Sequence, residues 1–159
     1  MPNRILAIDP GTRCGWARLD GAHVESGVQV FDLKRGDSPG MRFLRFRRWL
    51  HDIGRNLYIY SSIPLHKALL VYEQAHHRGG AATEVLVGMT TRVQEFAAEI
   101  GAEHEAVHTA TLKKWATGNG RASKEQMIAA ACERYGVAVR DDNEADALLL
   151  LAWAREGGA

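Results

Sequence analysis

The chain has 159 residues, of which 46% are hydrophobic and 25% are charged, and its formal net charge is +1. This composition is typical of a globular domain that buries roughly two-thirds of its unfolded surface, so we expect residues 1–159 to form one domain. Because no apolar run is long enough to span a membrane and no signal-peptide pattern is present, the sequence argues against a membrane protein and predicts a cytoplasmic one. The net charge does not identify a partner, but basic residues cluster at 42–55, 78 and 113–124 and acidic ones at 141–146.

The first predicted element is a strand that ends on a carboxylate. Residues 5–8 are an unbroken apolar run, as expected of a central strand buried on both faces, although periodicity alone does not exclude a helix. Asp9 ends the run, and Pro10-Gly11 imposes a turn. Asp9 therefore either caps this turn or lies in a functional site at the end of the strand.

Residues 15–19 and 23–31 predict two further strands, joined by the Asp20-Gly21 hairpin signal. The three strands form a meander that begins a mixed sheet. The turn at 37–40 then opens a helix that ends by Pro64, whose apolar stripe is Phe43, Phe46, Leu50, Ile53 and Leu57. We interpret the arginines on another face of this helix as a solvated surface rather than as nucleic-acid contacts.

A second buried strand, residues 68–72, also ends on a carboxylate, Glu73. A flexible basic loop follows, with His76, His77 and Arg78. Two adjacent histidines can bind a transition metal, but no third histidine or cysteine stands at ligand spacing. We therefore interpret them as loop residues near a substrate.

The next predicted helix has a long apolar stripe that serves either the core or a subunit interface: Leu86, Met89, Val93, Phe96 and Ile100. We predict a homodimer that uses this helix, with Val85 and Arg92 at the margins of the interface. The alternative is that the stripe packs wholly on its own sheet. Residues 103–107 predict a short strand and residues 109–115 a short helix. Basic residues on and after this helix are Lys113, Lys114 and Arg121.

Two helices complete the chain. Ser123 and Gln126 form a capping box that begins one helix, which ends at Gly136. Residues 141–143 open the last helix, in which Asp146 shares the apolar face of Leu149, Leu150 and Trp153. A carboxylate on an apolar face needs a partner that compensates its charge.

Two strand ends and one helix can therefore bring Asp9, Glu73 and Asp146 to one place. Three adjacent carboxylates repel one another unless hard divalent cations neutralise them, and oxygen ligands favour Mg²⁺ or Mn²⁺. Two such ions support phosphodiester cleavage, and the basic residues at 113–124 supply charge for a phosphate backbone.

These residues also carry a resemblance. Asp9-Pro-Gly-Thr with Gly15, Tyr72-Glu73-Gln74, Lys113 eleven residues before Lys124, and Glu144-Ala-Asp146-Ala-Leu occur in the order found in the RuvC family of Holliday junction resolvases. The resemblance covers nearly the whole chain. It implies an α/β, ribonuclease H-like fold with a mixed five-stranded sheet flanked by helices. It also implies a homodimer and paired incisions in four-way DNA junctions that depend on two Mg²⁺ ions, with Mn²⁺ as a substitute.

The same resemblance implies that Asp9, Glu73 and Asp146 are metal ligands and that Lys113 and Lys124 lie near the scissile phosphate. Asn143 stands where the family usually has Asp or His, so either Asn143 or Asp142 completes the metal site, and at least one of them caps the helix. His76 and His77 stand where the family often has an aromatic wedge. We expect DNA contacts from His76, His77, Arg78, Lys113, Lys114, Arg121 and Lys124.

Three other functions compete with a junction resolvase. An actin-like or sugar-kinase ATPase also begins with a strand, Asp, Gly and Thr, but it needs a second such domain and leaves Glu73 and Asp146 unexplained. A non-catalytic nucleic-acid-binding module on the same fold would have no need of the three carboxylates. A nuclease for other branched DNA or for RNA would keep the chemistry and change only the substrate.

Overall fold

The computed structural model describes residues 2–58 and 68–158. Within these residues the strands are β1 (Arg4–Asp9), β2 (Arg13–Asp20), β3 (His23–Val30), β4 (Ala68–Glu73) and β5 (Glu103–Val107). The helices are α1 (Gly40–Ile53), α2 (Arg55–Tyr58), α3 (Gly80–Ile100), α4 (Thr109–Thr117), α5 (Lys124–Tyr135) and α6 (Asp142–Arg155).

The strands form one mixed sheet with the order β3-β2-β1-β4-β5. The first three strands are an antiparallel meander, whereas β4 runs parallel to β1 and β5 runs parallel to β4. The predicted mixed five-stranded sheet is thus confirmed. Strand β1 lies in the middle, which explains why its apolar run at residues 5–8 is completely buried.

Alternate side chains of β1 enter two separate cores on the two faces of the sheet. Ile5 and Ala7 pack with α4, α5 and α6, while Leu6 and Ile8 pack with α1 and α3. This alternation follows from the two-residue period of a strand. Both faces are covered by helices, as predicted.

Helix α6 is apolar on every side rather than along one stripe. Residues 145 and 147–154 are all buried, because α6 packs on β1 and β2 and is covered by α5. A helix that is hydrophobic all round belongs in the interior of a domain. None of the helices within residues 2–58 and 68–158 has the length and hydrophobicity needed to cross a bilayer.

The prediction of one helix from Phe43 through Leu57 is wrong. Helix α1 ends at Ile53, and the amide of Gly54 donates to the carbonyl oxygen of Leu50 at 2.8 Å. The short α2 follows, and it returns Leu57 to the same core, which explains why the apolar spacing continues across the break. Pro64, the predicted end of this segment, lies outside the described residues.

Of the two roles predicted for the apolar stripe of α3, the structure shows packing in the core for most of its residues. Met89, Val93 and Phe96 are at most 1% exposed because they pack against the sheet and α1 of their own chain. Leu86 is only half-buried, and Arg92 lies over the ring of Phe43, 5.7 Å from its centroid. A glutamate at position 89 or 93 would therefore disrupt the core instead of separating two subunits.

Candidate metal centre

Three carboxylates meet at one edge of the sheet. Because β1 and β4 are parallel neighbours, their carboxyl ends lie side by side, and these ends are Asp9 and Glu73. Asp146 reaches the same edge from the second turn of α6. Each residue offers one carboxylate oxygen, and the three oxygens lie within 4.8 Å of one another.

Gly15 allows α6 to approach this edge. It pairs with Asp9 across β1 and β2, and a Cβ atom at this position would lie 1.8 Å from the carbonyl oxygen of Asn143. Only glycine leaves room for the helix backbone to pack so closely on the strand. The packing fixes the first turn of α6, and hence Asp146, next to Asp9.

The start of α6 is also held by polar contacts. The carboxylate of Asp141 caps the helix by accepting hydrogen bonds from the amides of Asn143 and Glu144, and it pairs with Arg13 at 2.8 Å. Ser26 on β3 donates to the Glu144 carboxylate at 2.7 Å. The expectation that Asp142 or Asn143 caps the helix is wrong, because the chain turns one residue earlier and Asp141 takes that position.

The site is strongly negative. Burial raises the pKa of Asp9 well above its usual range, and the charges of Glu73 and Asp146 raise it further. Burial also raises the pKa of Asp146 to about 7, together with the charges of Glu73 and Asp142, while Lys113 and Lys124 act in the opposite direction. Keeping all these carboxylates ionised requires positive charge at their centre.

The donor set fits a hard divalent cation. Among the described residues, Oδ1 of Asp146 is buried and lacks a hydrogen-bond partner, which is costly for a carboxylate oxygen in the absence of a ligand. Oxygen atoms of three carboxylates are the ligands that Mg²⁺ and Mn²⁺ prefer. Asn143, predicted as a fourth ligand, is half-buried in the first turn of α6, one turn before Asp146.

Two of the predicted lysines lie close to the carboxylates. The charges of Lys113 on α4 and of Lys124 at the start of α5 both lower the pKa of Asp146. Lys124 Nζ is 3.3 Å from Asp142 Oδ2. Asp142 thus gives Lys124 the charged partner that a cation in the first turn of a helix requires. The other two predicted basic residues of this region, Lys114 and Arg121, are exposed.

The loop after β4 connects to the site through a residue that the sequence did not reveal. His76, His77 and Arg78 are exposed, and His76 Nε2 lies 2.9 Å from the hydroxyl of Thr109. Thr109 in turn donates to Glu73 at 2.5 Å. Its position was a usable signal, because it follows by two residues the end of β5, the strand beside β4.

The sheet order, the helices on both faces and the acidic edge define a ribonuclease H-like fold. Two solved structures of Thermus thermophilus RuvC share this fold. One matches with a TM-score of 0.71 and 20% sequence identity, covering 98% of each chain. The other, a complex with a Holliday junction substrate, matches with a TM-score of 0.72 and 21% identity, covering 98% of this chain and 97% of that one. The chain therefore has a RuvC-like fold, as the sequence motifs predicted. No family model matches the sequence, and no curated protein matches it significantly.

Proposed function

We propose that this protein is a metal-dependent endodeoxyribonuclease that resolves four-way DNA junctions by paired, symmetric phosphodiester hydrolysis. The observation that carries the proposal is the cluster of Asp9, Glu73 and Asp146, three mutually repelling carboxylates with an unpartnered buried oxygen. The likeness to a RuvC structure bound to a Holliday junction supports the choice of substrate.

In this proposal Asp9, Glu73 and Asp146 hold two Mg²⁺ ions, or Mn²⁺ in their place, with Asn143 as a neutral fourth ligand. When bound, such a pair of ions activates a water molecule and stabilises the leaving oxygen. The chain itself orients the ligands: the close packing at Gly15 and the cap at Asp141 fix the start of α6. Lys124 and Lys113 are then available to stabilise charge on the scissile phosphate.

The proposed DNA-binding residues come from two parts of the chain. They are His76, His77 and Arg78 in the loop after β4 and Lys113, Lys114, Arg121 and Lys124 on and between α4 and α5. The positive charge of the lysines and arginines suits a phosphate backbone. Most of these residues are exposed, so DNA can reach them. We propose that residues 1–159 act as a single nuclease domain and that a homodimer supplies the two active sites that symmetric incision requires.

The test of the proposed function is cleavage of four-way, three-way and linear DNA of matched sequence in Mg²⁺ and in EDTA. We expect Mg²⁺-dependent incision of the four-way junction, and linearisation of a plasmid that extrudes a cruciform, because paired incisions cut both strands. Binding of the junction without cleavage in Mg²⁺ would instead indicate a non-catalytic module. Equal cutting of the three-way and four-way DNA would indicate a nuclease with a different substrate.

Replacing Lys124 by alanine is expected to slow single-turnover cleavage by about a hundredfold, in the range found when a charge-stabilising donor is removed. Junction affinity is expected to fall less than about fivefold, because one exposed ion pair contributes little to binding. Lys124 is 76% exposed and is free to move from Asp142 to a phosphate.

The matched control is Glu125→Gln, one residue further along the same helical turn, which leaves Lys124 and the capping box of Ser123 unchanged. Its cleavage rate is expected to equal that of the wild type. An unchanged rate for Lys124→Ala would show that this lysine is an exposed residue with no part in cleavage.

A further inference from the structure

We propose that Thr109 is a positioning residue that orients Glu73 for metal binding and that His76 supports it. This inference rests on the proposed function, since it concerns how the chain prepares one of the proposed metal ligands. It starts from a chain of two hydrogen bonds that reaches from the exposed loop after β4 to the Glu73 carboxylate.

The direction of the two hydrogen bonds follows from the number of donors. The Thr109 hydroxyl has one hydrogen, and the Glu73 carboxylate Oε1, 2.5 Å away, accepts it. The oxygen of Thr109 must then accept from His76, whose Nε2 lies 2.9 Å from it. This requires a hydrogen on Nε2 of His76, which both the Nε2 tautomer and the charged imidazolium provide.

The backbone holds Thr109 close to Glu73. Thr109 is the first residue of α4, two residues after Val107, which pairs with Glu73 across β4 and β5. The amide of Gln74 donates to the carbonyl oxygen of Val107 at 2.8 Å, so the segment after β4 stays next to the end of β5. At the other end, the hydroxyl of Thr83 on α3 lies 3.1 Å from the carbonyl oxygen of Gly79 and 3.4 Å from that of His76, both in the loop after β4.

A carboxylate with a free terminal torsion must lose that freedom when it binds a cation. The hydrogen bond from Thr109 removes this freedom in advance, because it fixes the plane of the Glu73 carboxylate relative to Asp9 and Asp146. Hydrogen bonds to metal ligands from surrounding residues act in this way, and their removal typically weakens metal binding by about 10- to 100-fold.

The experiment measures binding of Mn²⁺ alone to the DNA-free protein, by electron paramagnetic resonance and calorimetry. Thr109→Val keeps the shape of the side chain and removes the hydroxyl, and we expect its Mn²⁺ affinity to fall about tenfold. Thr109→Ser restores the hydroxyl and is expected to restore the affinity. His76→Ala removes the outer hydrogen bond only, and a loss of about threefold is expected.

Thr91→Val is the matched control, because the exposed Thr91 donates within its own helix to the carbonyl oxygen of Val87 at 2.6 Å. Its Mn²⁺ affinity is expected to equal that of the wild type. The melting temperature in EDTA separates positioning from structural damage. Thr109→Val should have the same melting temperature as the wild type while it binds Mn²⁺ more weakly.

The outcomes distinguish this inference from the proposed function. If the wild type binds Mn²⁺ and cuts junctions while Thr109→Val binds Mn²⁺ equally well, the positioning role is wrong and the nuclease stands. A loss of affinity matched by a large drop in melting temperature, or one that serine does not restore, also contradicts positioning. If the wild type binds no Mn²⁺, the proposed function falls and this inference falls with it.

Discussion

Asp146→Asn is expected to abolish junction cleavage, with a loss of more than about a hundredfold, because it removes a ligand itself rather than a residue that supports one. The substitution keeps the size of the side chain but takes a negative charge from the cluster. Affinity for Mn²⁺ should fall with the rate. Folding should not suffer, since Asp146 is the carboxylate whose buried Oδ1 lacks a partner among the described residues.

The same substitution is expected to stabilise the metal-free protein at alkaline pH. The pKa of Asp146 is raised from 3.8 to about 7, so the folded protein holds a proton that the unfolded chain has already released. Stability of the wild type in EDTA therefore falls as the pH rises between about 4 and 7, and above pH 7 the ionised group stays destabilising. A pKa that rises from 3.8 to about 7 corresponds to roughly 4 kcal/mol, and solvent around this partly buried carboxylate screens the effect, so asparagine is expected to add about 2 kcal/mol of stability at pH 8.

Thermal unfolding in EDTA and in Mn²⁺ at several pH values measures both effects. The variant should melt above the wild type in EDTA and gain less from the metal. Asp52→Asn is a suitable control, because this exposed carboxylate on α1 lies outside the cluster. Cleavage by Asp146→Asn at the rate of the wild type would show that Asp146 is not a metal ligand.

Gly15→Ala is expected to damage stability and activity together. Its Cβ atom would lie 1.8 Å from the carbonyl oxygen of Asn143 and 2.9 Å from the amide nitrogen of Glu144, so the start of α6 must move away from β2. We expect a loss of about 3 kcal/mol, at the upper end for overpacking. The melting temperature should fall by roughly 10 °C, and Mn²⁺ affinity should fall because Asp146 moves with the helix.

Gly40→Ala provides the comparison. A Cβ atom at this first residue of α1 meets the Ser38 hydroxyl oxygen at 3.9 Å, an ordinary contact, and alanine is the better helix former. This variant should melt at or slightly above the temperature of the wild type and cut at its rate. A Gly15→Ala protein with wild-type stability and cleavage would mean that α6 does not pack on β2 as described.

The strands and the three carboxylates were predictable from the sequence because their signals are local. An apolar run that ends abruptly on Asp9 or Glu73 indicates both a buried strand and its terminus, and parallel neighbours align such termini. Asp146 was found in a similar way, as a charge within an apolar helix. The motifs around these residues also occur in the order found in the RuvC family, which linked the separate predictions to one fold.

The features that the sequence left open or concealed depend on tertiary contacts. The stripe of α3 has the same spacing whether it faces a partner or its own sheet, and only the packed chain shows that Met89 and Val93 are internal. The end of α1 at Gly54 was hidden because Leu57 continues the apolar spacing. Thr109 was not predicted because its contact with Glu73 joins residues 36 positions apart, and only its place two residues after the end of β5 pointed to it.

The three carboxylates also lie far apart in the order of synthesis. Asp9 is made first, Glu73 after a further 64 residues, and Asp146 only within α6, the last helix of the described chain. A growing chain on the ribosome thus contains two of the acidic residues, without the third, for much of its translation. The protein cannot assemble its metal centre, and in the proposed function cannot cut DNA, until α6 has emerged and docked on the sheet.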